Sequence, residues 1–356
     1  MTNSQSIGQL YHIEDAVLEM PGFNSRDFTA ISSVHKNTRR AEIDPALYGH
    51  VYHLLGNNPS RFTSDLTLYL ATVKAFFDRQ KNADLIQVSN GVNADAKKRI
   101  SEDMGVALAS TFMAKAFDIS WETISQIPAN SKLASKRPDF QSYRRTDNAK
   151  PYIFEAKGTT VLASVEKATT KALEQVKRYP VAANSKLVLT SYLSADPRYF
   201  PSTTFVIDPP SESSDYIDPR ISVLLHFEKI LQFSGLIKTS ALYIRLLAKL
   251  LKDKEVRLTS VDDILWKLQG DAQSLRESYD EESNGLASIS EYNEQFIGQR
   301  VEFENAILFF GCDKRRIEAG LSFSRWEEPY DQSQAVGEAS LRSLLDDGSF
   351  FNIQIS

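Results

Sequence analysis

The sequence predicts an α/β protein: a mixed central sheet flanked by helices, with an N-terminal extension before it and a mainly helical region after it. Three observations carry that prediction. With 356 residues and 40.1 kDa, the chain is long enough for two or three domains. The middle third follows the order helix, strand, turn, strand, helix, strand. Past PPSESSDYIDP (209–219), a polar Pro/Ser-rich stretch, helical periodicity takes over. The organisation expected is an extension over 1–95, an α/β core over 96–210 and a mainly helical region over 211–356.

Residues 1–60 are mixed and irregular, with HKNTRR (35–40) and GNNPS (56–60) reading as loops. Ser64-Asp65 caps an apolar run to Gln80 in which Leu66, Leu70, Val73 and Phe77 recur at helical spacing, and DLIQVS (84–89) reads as a short strand. Ile100, Met104, Leu108, Phe112 and Ala116 recur every fourth residue and predict a helix over 96–119. Residues 120–136 are looser. Strands are expected around 138–145 and 151–157, separated by the turn-rich TDNAKP. Thr159-Thr160 lead into a helix that Pro180 stops near Tyr179. KLVLTSYL (186–193) reads as a buried strand and TTFVID (203–208) as another. Helices follow over 220–233, 238–252 and 260–280, then a strand over 301–311 and a short helix over 338–346. In the second of those helices Leu242, Leu246, Lys249 and Leu250 form one stripe, with Leu247 and Leu251 beside it, as in an amphipathic helix covering its own core. The same region is where a second copy or a partner protein is expected to bind. There is no internal repeat and no low-complexity tract.

Hydrophobic residues make up 42% of the chain and charged residues 24%, a globular composition that excludes wholesale disorder. A single cysteine, Cys312, excludes a disulfide framework and a multi-cysteine zinc site and fits a reducing compartment. No apolar run approaches the roughly 18 residues of a membrane span; the richest, 236–251, is broken by Lys238, Arg245 and Lys249. The first residues lack the basic and apolar regions of a secretory signal, so the expectation is a cytoplasmic protein with no membrane contact. The net charge of −5 hides an asymmetry. Between Lys132 and Lys186 twelve basic residues face five acids, a local charge of +7 that leaves −12 elsewhere. A basic patch on an acidic chain is the electrostatic footprint of a phosphate-bearing partner. Any one of these lysines, read singly, is a solvated helix residue.

Inside that patch stand Pro138-Asp139 and Glu155-Ala156-Lys157. If the chain turns at Asp147-Asn148, antiparallel pairing sets residue i opposite about 294 − i, which places Asp139 across from Glu155. Glu155 and Lys157 then share one face of the strand, and Phe154 and Ala156 share the other. Two facing carboxylates repel unless a cation joins them. Mg²⁺ suits carboxylate oxygens and keeps water positions open for a substrate phosphate, and Mn²⁺ can substitute. The pattern [D/E]-x-K occurs twice in the chain, and the other instance, Asp95-Ala96-Lys97, has no strand before it; Pro-Asp occurs once.

These residues resemble the PD-(D/E)xK nuclease superfamily, the restriction-endonuclease-like fold, over about residues 96–208. Tyr152, Ile153 and Phe154 form the apolar strand leading into the motif, and Glu102 matches an acidic residue of the preceding helix. Gln175 and Tyr179 match the Q-x-x-x-Y signature of RecB-like nucleases. The resemblance implies a Mg²⁺-dependent nuclease, with DNA rather than RNA as substrate and a place in prokaryotic restriction or anti-phage defence. It implies that Asp139 and Glu155 hold the metal, with the Ala156 carbonyl as a third ligand and Glu102 near a second ion. Lys157 would orient or deprotonate the attacking water and offset developing negative charge. Gln175 and Tyr179 would brace the site and contact the nucleic-acid strand, with Lys171 on the same helical face one turn earlier. Arg144, Arg145, Lys177 and Arg178 are candidate phosphate contacts.

Plainer readings stand beside these. Lys157 is also what an exposed edge strand carries, Glu102 also what a helix dipole favours in a first turn, and Tyr179 also what packs on a sheet. The absence of a G-x-x-x-x-G-K-[ST] loop excludes a P-loop motor, and the absence of G-x-S-x-G disfavours an α/β-hydrolase. Five histidines (12, 35, 50, 53 and 226) are scattered; His50 and His53 lack nearby acids or cysteines and read as surface or satisfied core residues. The alternative function is a non-catalytic nucleic-acid-binding or scaffold module on the same fold. Asp139, Glu155 and Lys157 together favour catalysis, because a binder has no chemical need for all three.

Overall fold

The structure, a computed structural model, describes residues 9–15, 40–43, 50–51, 54–55, 94–127, 137–145, 150–179, 181, 183–193, 203–207, 219–252, 261–291, 293–302, 306–323 and 342–355. The chain is mixed α/β and divides into two compact units, Met1–Ile119 with Gln126–Asp215, and Ser120–Ser125 with Tyr216–Ser356. The expected helix after Ser64-Asp65, the strand over 84–89 and the loop over 56–60 lie outside the described residues.

The first unit is built on strands β1 (Gln9–Asp15), β2 (Arg40–Ile43), β3 (Ser125–Gln126), β4 (Phe140–Ser142), β5 (Tyr152–Thr159), β6 (Ser185–Tyr192) and β7 (Thr203–Ile207). They form one mixed sheet in the order β2-β1-β7-β6-β5-β4-β3. β5 and β6 run parallel, as do β1 and β7; β4–β5, β6–β7 and β1–β2 are antiparallel. Residues 1–60 are therefore not irregular throughout. β1 and β2 extend the sheet of the α/β core, a pairing over about 190 residues of sequence that local pattern cannot announce.

Two helices cover the sheet. α1 (Ala94–Ala116) packs on the face that carries Tyr152, Phe154 and Gly158, with the Phe117 ring 5.2 Å from Tyr152 and Phe140 stacked at 5.1 Å on Phe154. From Met104 to Met113 every residue of α1 is buried, so the stripe of Met104, Leu108 and Phe112 widens to the whole circumference. α2 (Val165–Arg178) is amphipathic and covers the opposite face: Val165, Ala172, Leu173 and Val176 pack with Val188, Phe205 and Ile207. The Thr169 hydroxyl bonds that of Thr190 at 2.9 Å on this side. Lys186, one of the basic residues of the patch, turns inward, and its ammonium donates to the Tyr179 carbonyl just past the end of α2.

The second unit carries the helices expected there and adds a sheet to them. Helices α3 (Pro219–Phe233), α4 (Ile237–Lys252), α5 (Val261–Gly270), α6 (Ala272–Ser283) and α7 (Lys314–Ser322) accompany a five-stranded antiparallel sheet. Its strands are β8 (Ala287–Glu291), β9 (Glu294–Glu302), β10 (Ala306–Asp313), β11 (Arg342–Leu344) and β12 (Ser349–Ile355), in the order β11-β12-β10-β9-β8. The helix expected over 260–280 is two, broken at Gly270-Asp271. The short helix expected over 338–346 is instead strand β11 in its described part, held by pairing with β12. β8 shows half-buried, exposed, half-buried alternation in a polar sequence, so its periodicity is weak; its signal is Asn293, left-handed at φ 62° beside the Glu291–Glu294 pair. In α4 the buried stripe is Ser240, Tyr243 and Leu247 rather than the Leu242 stripe, because Tyr243 packs between Phe227 and Phe323. His226 is a buried, satisfied histidine: its Nδ1 faces the Ile124 carbonyl and its Nε2 the Asp347 carboxylate, both at 2.7 Å. His50 is buried too, and His53 lies outside the described residues. Among the described residues no helix is long and apolar enough to cross a membrane.

The tightest constraint on the first unit is backbone against backbone. A Cβ on Gly158 would stand 1.6 Å from the Ser101 carbonyl oxygen, and one on Gly105 would stand 2.6 Å from the Gly158 nitrogen. Gly158→Ala is expected to destabilise the fold by about 3 kcal/mol, since main chain cannot yield as a side chain does. Gly270→Ala, where a Cβ meets nothing within 4 Å, is expected to be neutral or slightly stabilising. Urea denaturation followed by circular dichroism checks both; equal midpoints for the two variants would contradict the packing described.

Candidate active site

The β4–β5 pairing sets Phe140 against Phe154, Gln141 against Ile153 and Ser142 against Tyr152. One step further along that register, Asp139 faces Glu155. Strand alternation puts Glu155 and Lys157 on one side of β5 and Ala156 on the other. The backbone N–H of Ala156 donates to Asp139 Oδ2 at 3.2 Å, tying the start of β4 to the motif. The Lys157 ammonium contacts Glu155 Oε1 and lies 3.6 Å from Asp139 Oδ2, so one cation bridges both carboxylates.

The two acids stand in different surroundings. The Asp139 side chain is 38% exposed, whereas that of Glu155 is 0% exposed. β6 flanks Glu155 directly, with Val188 as its register partner. Burial, reinforced by the Asp139 charge, raises the Glu155 carboxyl to about 8, and Lys157 only partly opposes this. Burial works against the Lys157 ammonium, but the Asp139 and Glu155 carboxylates outweigh it and hold its pKa above the ordinary lysine range.

A cleft of about 890 Å³ opens over this group. Asp139, Ala156 and Lys157 line it from the sheet, Glu102 from α1 and Lys171 from α2. Glu102 is exposed there, brought in by the close approach of α1 to β5 at Gly105 and Gly158. Gln175 and Tyr179 are not among the residues that line the cleft. The Gln175 side-chain amide donates to the Arg137 carbonyl at 2.9 Å, which fixes the main chain two residues before Asp139. Tyr179 is buried, which raises its phenol to about 12 against the pull of the Arg137 guanidinium.

The remaining basic candidates do not line this cleft. Arg144 Nε donates to the Phe117 carbonyl at 3.0 Å and its guanidinium sits 5.2 Å over the Tyr152 ring. Arg145 pairs with Asp118 at 3.5 Å. Both belong to the far end of the β4–β5 pair from Asp139, where they join the end of α1 to the sheet. Lys177 and Arg178 are exposed on the last turn of α2, with Arg178 3.7 Å from Glu174. Arg137, one of the twelve basic residues of the patch, lines the cleft, a place that the charge count alone does not reveal. Its place directly before Pro138-Asp139 is the sequence signal for it.

The donor set fits a hard divalent cation. Glu155 Oε2 is buried without a hydrogen-bond partner, a costly condition that an ion relieves. Among the described residues no three His, Cys, Asp or Glu side chains gather into a metal-binding group, so Glu102 does not complete a cluster with Asp139 and Glu155. Two carboxylates with water in the remaining positions is a usual arrangement for Mg²⁺.

The raised Glu155 value has a consequence for pH. A carboxyl whose folded pKa exceeds its unfolded value of 4.5 contributes stability that is complete below that value and is lost as pH rises through about 8. The metal-free chain is therefore expected to lose stability between about pH 5 and pH 9, and Glu155→Gln, which cannot ionise, to lose less. Mn²⁺ affinity should climb over the same window, because the ion must displace the Glu155 proton. Thermal melts in EDTA and calorimetric Mn²⁺ titrations at stepped pH check both; profiles identical in wild type and Glu155→Gln would contradict them.

No protein-family model matches the chain, and neither the curated proteins nor the solved structures yield a match.

Proposed function

We propose that the chain is a metal-dependent nuclease of the PD-(D/E)xK type on a restriction-endonuclease-like core, hydrolysing phosphodiester bonds of DNA in restriction or anti-phage defence. The observation that supports this best is the group on β4 and β5: two carboxylates on adjacent strands, one of them wholly buried, with one lysine touching both. A structural ion pair needs one acid, and the second brings repulsion that either a proton on Glu155 or a further cation relieves.

On this reading Asp139 and Glu155 hold Mg²⁺ or Mn²⁺, with the Ala156 carbonyl as a further oxygen and Glu102 facing the same cleft. An ion held there would supply a water of lowered pKa and would neutralise phosphate charge. Water attacks phosphorus, the P–O bond to the leaving sugar breaks, and the leaving oxygen takes up a proton. Lys157 orients the attacking water and compensates the charge that accumulates on the phosphoryl oxygens. Its ammonium, held charged by the two carboxylates, acts as an electrostatic partner rather than as the base.

Incubation of the purified chain with supercoiled, linear and single-stranded DNA in Mg²⁺ or Mn²⁺ tests the proposal. Cleavage is expected to vanish with EDTA and to fall by a factor of about 10³ or more in Lys157→Ala. Cleavage that survives both would place the activity elsewhere. Binding without cleavage of any form would favour a nucleic-acid-binding module.

A further inference from the structure

The cleft over Asp139 and Glu155 holds one cation whose environment the metal and Lys157 do not explain. Arg137 lines it, two residues before Asp139, and its Nη1 is buried with no hydrogen-bond partner. A guanidinium nitrogen taken out of water without an acceptor is costly, and folded chains keep such groups where a ligand completes them. The main chain at this position is held in place: Gln175 binds the Arg137 carbonyl at 2.9 Å. The buried ring of Tyr179 lies close enough to feel the guanidinium charge. Lys97, Lys98 and Lys171 line the same cleft, so the wall around the two carboxylates is predominantly cationic.

We propose that Arg137 is the phosphate-binding residue of this cleft, gripping a backbone phosphate of a nucleic-acid strand beside the Asp139–Glu155 pair. Gln175 and Tyr179 are its positioning residues, acting through Arg137 and not by touching the strand. The planar guanidinium suits this task because it offers paired N–H donors to two phosphate oxygens, a geometry that an ammonium lacks. Gln175 fixes where the side chain starts, and Tyr179 lies within electrostatic reach of its guanidinium. The Q-x-x-x-Y pair, with Gln175 on α2 and Tyr179 just past its end, thereby gains a purpose that its separation from the cleft lining otherwise leaves unexplained. The assignment rests on the nuclease reading only for the strand being a substrate.

The test uses the full chain and a fluorescein-labelled single-stranded DNA of about 20 nucleotides, with Ca²⁺ replacing Mg²⁺. Arg137→Gln is expected to weaken binding at least about tenfold. It should also lower the slope of log affinity against log salt by about 0.7, the loss of one phosphate contact on a single strand. Arg137→Lys should restore the salt slope but only part of the affinity. Gln175→Ala should weaken binding with the slope unchanged, as befits a residue that orients the contact without making it. Thermal melts separate this from a structural role: metal-free Arg137→Gln should be at least as stable as wild type, because it removes an unpaired buried donor. Wild-type affinity and salt slope in Arg137→Gln, or a lower melting temperature accounting for the lost binding, would overturn the assignment. Arg137-dependent binding with no cleavage in Mg²⁺ would sink the hydrolase reading and leave this one standing. Cleavage by Arg137→Gln at the wild-type kcat/KM would do the reverse.

Discussion

The first unit is organised around a carboxylate that has no access to water. Glu155 sits on β5 between β4 and β6, where a charge is costly to place. Lys157, two residues on and on the same face, supplies a cation. Asp139 comes opposite through the β4 register and raises the local negative charge again, so the lysine alone does not settle the balance. The result is a centre that is either part-protonated or completed by a further cation, and that depends on pH through one group.

The scaffold keeps this centre rigid by contacts that leave little room for adjustment. α1 approaches β5 so closely at Gly105 and Gly158 that neither position can carry a side chain, and that approach brings Glu102 to the rim of the cleft. From the other face, α2 reaches over the sheet edge to pin the main chain before Asp139 through Gln175. The charged groups around the cleft thus come from α1, the start of β4, β5 and α2, so several rigid elements hold the geometry while the charges repel.

The second unit uses a comparable device for packing. His226 is buried between the Ile124 carbonyl and the Asp347 carboxylate, and Asp347 also accepts from the Ser349 backbone N–H at 2.8 Å. Arg316 pairs with Glu122 nearby, and the Trp121 N–H donates to Asp346 at 3.3 Å. Residues 121–124 are thereby held by hydrogen bonds and ion pairs from α3, α7 and the turn between β11 and β12. A buried polar set of this kind specifies one arrangement, because any shift leaves a polar group unsatisfied.

What the sequence by itself determined was local in origin. The helices α1 and α2, the order of β4 to β7 and the register that sets Asp139 against Glu155 all follow from periodicities of 3.6 and 2.0, from the stop at Pro180 and from one turn. What only the tertiary structure decided depends on which distant segment covers which. β1 joins β7 across most of the first unit, β8 pairs with β9 despite a polar sequence, and Arg144 and Arg145 are spent on the end of α1 instead of on the cleft. The burial of Glu155 and the unpaired nitrogen of Arg137 belong to the same class. Hydrophobic periodicity reports the face a residue takes, but desolvation and hydrogen-bond satisfaction are set by the neighbours that folding brings to that face.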